Sequence, residues 1–155
     1  MFRRALPAIA LLIAAACTAQ GVSTPADCDV PPPSVRFGGG LALDVDLAST
    51  DETRARGLMG VTDLPSDQGM AFLFDAPSAG TFWMKDTVIP LSIAFVDEDG
   101  RIVTIHEMAP CAAEPCREYA AASPFTMAIE ANAGWFAEHG IRVGHRVRLR
   151  QMACL

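Results

Sequence analysis

Lysine is almost missing from this chain of 155 residues: Lys85 is the single one, and every other cation is arginine. No basic run is present, and eighteen carboxylates outnumber twelve cations, which argues against nucleic acid as a partner. No apolar stretch, the run over 8–16 included, is long enough to cross a bilayer as a permanent helix. There is no Gly-x-Ser-x-Gly elbow, no His-x-x-x-His pair and no phosphate-cradling glycine loop, so the commonest hydrolase, zinc and nucleotide signatures are missing. No segment repeats, and no Met-x-Met or His-Met cluster marks a metal tract.

The N-terminus carries an address. Arg3 and Arg4 precede a short apolar run over 8–16, and small residues then lead to Cys17, the layout of an export signal. Residues 14–17, Ala-Ala-Ala-Cys, resemble a bacterial lipobox, with Ala14 departing from the usual Leu or Val. The expectation is a signal peptide over 1–16, cleavage before Cys17, and a lipid on that cysteine. Cleavage after Ala16 without lipid is the plainer alternative. Residues 17–34, rich in Ala, Thr and Pro and ending in Pro31, Pro32 and Pro33, read as a tether, and 35–155 as a single globular domain. The expected location is the cell envelope, on its periplasmic or extracellular face. Loss of Arg3 and Arg4 leaves ten cations against eighteen carboxylates, a net charge of about −8, so membrane contact is expected through the lipid alone.

Four further cysteines fit an oxidising compartment: Cys28, Cys111, Cys116 and Cys154. They allow three pairings, of which Cys111–Cys116 and Cys28–Cys154 are favoured, the first closing a short loop and the second clamping the domain ends. The four-residue spacer between Cys111 and Cys116 differs from the Cys-x-x-Cys of zinc ribbons and redox dithiols, and no histidine lies nearby at ligand spacing.

Hydrophobic periodicity predicts an α+β domain of mostly antiparallel strands, a partly closed sheet or barrel with two short helices. Residues 41–47 alternate as a half-buried strand. The spacing Ser49 to Glu52 is that of a capping box opening a helix to about Leu58. Strands are predicted over 70–74 and 81–85, and a hairpin over 91–106 turns at 97–100. A strand around Phe125 and Ile129 follows, then a helix over 133–138 capped by Asn132. A last strand over 146–152 turns Val147 and Leu149 inward.

The segment Phe82-Trp83-Met84-Lys85-Asp86-Thr87 puts an indole, a thioether, a cation, a carboxylate and a hydroxyl together. With Arg54, Gly57, Leu58 and Met59, then Gly69, Met70, Phe72 and Phe74, then Ile89, Pro90 and Leu91, and later Glu130, Gly134 and Gly144, it resembles domain-of-unknown-function family 192. The resemblance covers about 41–150 and implies a compact β-rich fold with no agreed activity. Asp86 stands where that family usually has asparagine, and Ser92 replaces the aspartate that commonly follows Pro-Leu.

Alternation over 81–87 would place Trp83, Lys85 and Thr87 on one working face, an aromatic platform beside a cation and a hydroxyl, as in ligand clefts and interface hot spots. Asp86 and Arg54 complete the candidate set. Arg54 reads first as a structural fork to carbonyls or a carboxylate, and alternatively as an anion site with Lys85. The leading expectation is an accessory binding module for a small ligand or an envelope protein, with no cofactor and more plausibly not an enzyme. Two alternatives stand beside it. Lys85 with Asp86 or Ser92 would serve a hydrolase-like site if desolvated, and Met59, Met70, Met84 and Met108 offer thioethers to Cu(I), although Met more often fills core gaps. His139 reads as a helix C-terminal group and His145 as a turn residue.

Overall fold

The structure, a computed structural model, describes residues 31–151. The proposed signal peptide, Cys17 and the Cys28–Cys154 pair lie outside the described residues.

Seven strands form one curled sheet in the order β6-β5-β8-β3-β2-β1-β9. Their ranges are β1 Ser34–Phe37, β2 Ala42–Ala48, β3 Gln68–Ser78, β5 Leu91–Val96, β6 Ile102–Met108, β8 Phe125–Asn132 and β9 Val147–Arg150. Pairing is antiparallel except between β2 and β3, whose connection carries the helix α1, Asp51–Arg56. Two short strands, β4 Thr81–Trp83 and β7 Glu118–Ala120, make a separate two-stranded sheet. A second helix, α2, spans Trp135–Glu138. The mostly antiparallel, partly closed α+β architecture follows the alternation in the sequence.

The curl nearly closes into a barrel. The edge strands β6 and β9 approach at one end, where Gly144 N donates to Ile102 O at 2.7 Å, Ile102 N to His145 O at 2.9 Å and Val147 N to Gly100 O at 2.8 Å. Side chains alternate across the sheet and build two cores. On one side Val35, Leu43, Val96, Ile129 and Val147 pack with Trp135 and Phe136 of α2. On the other, Phe72, Met84, Leu91, Ile93, Phe95 and Phe125 are covered by β4, β7 and the segment around Leu58. Strands β5 and β8 are therefore apolar on both faces, and their sequences run nearly unbroken in hydrophobic residues.

Several local expectations shift. The capping box joins Thr50 and Thr53 rather than Ser49 and Glu52: Thr50 Oγ1 accepts from Thr53 N, and Thr53 Oγ1 accepts from Thr50 N. The helix ends at Arg56, because Gly57 at φ 48 leaves helical space. Asn132 does not cap α2; Gly134 occupies that place, while the Asn132 amide donates to the carbonyls of Leu64 and Pro65 at 2.9 and 3.2 Å. His139 is the C-cap of α2, stacked on Trp135 with ring centroids 4.3 Å apart.

Candidate functional site

Strand β4 stops at Trp83, two residues before the predicted end. Residues 84–87 form a turn in which Thr87 N donates to Met84 O at 3.2 Å and Asp86 adopts φ 54. The shared-face argument for Trp83, Lys85 and Thr87 therefore fails: alternation holds only while the chain stays extended. Trp83 is 50% exposed, whereas Thr87 is buried at 7%. Asp86 is a turn residue. Its positive φ suits asparagine and aspartate better than most residues, which gives the asparagine common in the family at this place a conformational reason.

Lys85 points another way. Its Nζ lies 3.2 Å from Glu114 Oε1, inside the loop closed by the Cys111–Cys116 disulfide, whose Cα atoms are 5.4 Å apart. It also sits 5.8 Å from the Trp83 ring centroid. Ser92 is fully buried on β5 and shares the face of Ala94 and Val96, opposite Leu91 and Ile93. There its hydroxyl donates to Glu107 Oε2 and accepts from Gly134 N, anchoring the approach to α2. Lys85 and Ser92 thus belong to different sides of the sheet. Met84 and Met108 are buried in the apolar cluster with Phe95, as gap-filling thioethers are. Met59 instead lines the cleft described next.

Between α1, β3 and β4 opens a cleft of about 360 Å³. Leu58, Phe72, Phe74, Phe82 and Phe125 supply apolar walls, and Trp83, Asp51, Arg54 and Arg56 stand around it. The rings pack edge to face: Phe72 on Phe82 at 4.9 Å, Phe74 on Phe125 at 5.2 Å and Phe82 on Phe95 at 5.5 Å. Thr87 and Glu130 reach it from below. Of the residues picked from sequence, the cleft gathers Trp83, Thr87 and Arg54, and leaves Lys85 and Asp86 outside.

Arg54 holds the cleft's shape. Its Nη1 donates to Ser49 O and Leu73 O, each at 2.8 Å, and its Nη2 pairs with Asp51. The guanidinium also lies 5.0 Å from the Phe74 ring centroid. One side chain thereby ties α1 to the carbonyl of a β3 residue, the structural fork expected of it.

Glu130 is a lining residue of the cleft that the sequence marks as a family-motif residue and not as a site residue. It sits on β8 between Met70 of β3 and Ile93 of β5 in register and is only 5% exposed. Among the described residues nothing hydrogen-bonds its carboxyl, and the residue lines the cleft. Burial pushes its pKa up to about 8. The signal was available in the sequence: Glu130 is one carboxylate inside an otherwise apolar strand, Met127 to Ala131. The backbone there is tight, since a Cβ on Gly69 would fall 2.2 Å from Glu130 O.

Residues 34–149 match the model of DUF192, described as an uncharacterized ACR. A protein of unknown function from Novosphingobium aromaticivorans DSM 12444 has a crystal structure similar to this chain, with 36% identity, TM-score 0.68 and coverage of 77% of this chain and 84% of the other. A candidate transcription regulator from Sinorhizobium meliloti 1021 is similar at 31% identity and TM-score 0.65, covering 76% of this chain and 91% of that one. Among curated proteins nothing matches.

Proposed function

We propose, for a chain that belongs to the DUF192 family, that it is a small-molecule-binding module held at the cell envelope, with the cleft between α1 and β4 as its binding site. The carrying observation is the buried carboxyl of Glu130, without a protein partner among the described residues, at the base of an aromatic-walled cleft. A ligand that brings a hydrogen-bond donor or an opposite charge to this carboxyl supplies the partner that the apolar walls do not. Few polar groups in a mostly apolar concavity is the usual composition of a ligand pocket. Trp83, half exposed at the edge, supplies a flat face for the ligand, and the Thr87 hydroxyl adds a second polar contact. The envelope address rests on the export signal and on lipid at Cys17. The candidate-regulator description of the Sinorhizobium meliloti protein is not carried over, since the present chain is acidic and has no basic run.

The test is a thermal-shift screen of the mature chain, from Cys17 onward, against amines, sugars, peptidoglycan fragments and small anions. A ligand at a hundred times its dissociation constant stabilises the fold by about 2.7 kcal/mol. Trp83→Ala and Thr87→Ala are expected to abolish that shift, whereas Lys85→Ala leaves it. A hit lost with Lys85→Ala and kept with Trp83→Ala would move the site to the disulfide loop and overturn the reading. Labelled fatty acid incorporated in cells and lost in Cys17→Ser checks the anchor.

A further inference from the structure

We infer that the cleft between α1 and β4 selects molecules carrying a protonated amine on an apolar or aromatic body, with Glu130 as the acidic group that receives the amine. The inference rests on the reading of the cleft as a ligand site and names the class of ligand.

The argument starts from what surrounds Glu130. Its neighbours across β3 and β5, Met70 and Ile93, are apolar. Along the same cross-strand row the next group that can carry charge is His106 on β6, one strand beyond Ile93, and its Nε2 is within 2.8 Å of Ala120 O. From α1 the cleft is faced by Asp51, Arg54 and Arg56. Arg54 is occupied by Asp51 and two carbonyls. From β4 come only Thr81, Phe82 and Trp83, and from the following turn Thr87. Lys85 and Asp86 lie outside the cleft, and Lys85 is paired with Glu114. No protein cation is therefore set against Glu130 among the described residues.

An apolar pocket holds a carboxyl in its neutral form until an opposite charge arrives. Burial pushes this one up to about 8, so at neutral pH it carries its proton while the cleft is empty. A neutral ligand would leave that proton in place. An ammonium group restores the charged form by direct attraction in a site of low dielectric. Phe72, Phe74, Phe82 and Phe125 line the same space, and aromatic side chains accommodate cations as well as apolar bodies. On binding, the ammonium keeps its proton, and the proton of Glu130 passes to solvent. Arg56, exposed at the mouth and in no ion pair among the described residues, offers a contact to an anionic tail if the amine carries one.

The mature chain is titrated calorimetrically with phenethylamine, 2-phenylethanol and phenylacetate between pH 6 and 8, in buffers of different ionisation enthalpy. These probes share a ring and differ in the charge at its end. The expected result is tightest binding of the amine, a dissociation constant falling by up to about tenfold per pH unit, and release of about one proton on binding. Glu130→Gln is expected to weaken the amine by at least about tenfold and to remove its pH dependence, while the alcohol is little changed. Equal affinity for amine and alcohol at every pH, or amine binding without proton release, overturns the amine inference and leaves the cleft reading standing. Tightest binding of phenylacetate does the same. Failure of all three probes to bind overturns both. The wild-type pH series decides the matter even where Glu130→Gln folds poorly.

Discussion

Glu130 is a carboxyl whose burial on a central strand gives the stability of the fold a dependence on pH. Its pKa rises from 4.5 in the exposed reference to about 8 in the fold because burial disfavours the charge. Between those values the unfolded chain has lost this proton and the folded one still holds it. Stability from this group is therefore full below about pH 4.5 and is lost as pH rises toward 8, at about 1.4 kcal/mol per pH unit. Glu130→Gln lacks this term. The difference in urea-unfolding free energy between wild type and variant is expected to fall across that window and flatten on either side. Parallel pH profiles would show that the carboxyl is not buried in this way. Residue-scale legibility was uneven. Trp83 and Thr87 both line the cleft, but a turn rather than strand alternation brings Thr87 there. Glu130 was visible as a motif residue, yet only a buried register between Met70 and Ile93 reveals why a carboxyl at that place is unusual.

At the scale of elements, the long strands and the short β4 and β9 are legible in the sequence, whereas β1 and β7 are not. The β5–β6 hairpin has alternation, a run of turn residues and a glycine, all within one contiguous stretch. Strands β4 and β7 are three residues each and pair across 37 positions of sequence, Thr81 with Glu118 by a side-chain bond at 3.1 Å. In β7, three residues carry too little period to distinguish a strand from a loop, whereas β4 is read as a strand two residues too long. The start of α2 is another nonlocal choice: Asn132 has the chemistry of an N-cap but spends its amide on carbonyls 67 and 68 residues away. Helix α1, only six residues long, is too short to persist alone and depends on Arg54 to hold it on β3. Arg54→Leu keeps an apolar stem and leaves the Leu73 carbonyl without its donor. The expected loss is about 1.5–3 kcal/mol in urea unfolding, with faster amide exchange in Asp51–Arg56 than in β8. Arg54→Lys is expected to recover part of it, since one ammonium lacks the fork that reaches two carbonyls and Asp51. Unchanged exchange in α1 would mean that the fork is not what fastens it.

For the molecule as a whole, the sequence carried the architecture because hydrophobic alternation and turn residues agree with each other along most of the chain. It did not carry the division of the sheet into two cores, which depends on which elements return to which side. The Cys111–Cys116 disulfide closes a loop beside Tyr119 and the end of the β4–β7 pair. On the chain-entropy model so short a loop contributes about 2 kcal/mol. Replacing both cysteines by serine is expected to lower the unfolding free energy by that amount, measured with and without reductant. Reductant should then shift the midpoint of wild type toward that of the variant. A variant as stable as oxidised wild type would show that the staple adds nothing to the fold.

The register of β1 against β9 has one more result. Ser34 pairs directly with Arg150, so the first and last residues of the sheet are opposite one another, about 5 Å apart as antiparallel partners are. A linker of a few glycines and serines can join them, and new ends can be opened in the surface turn between Val96 and Ile102. In such a circularly permuted chain β6 would come first and β5 last, with every pairing of the sheet kept. The order in which this polypeptide is written is then expected to be one of two that specify the same sheet.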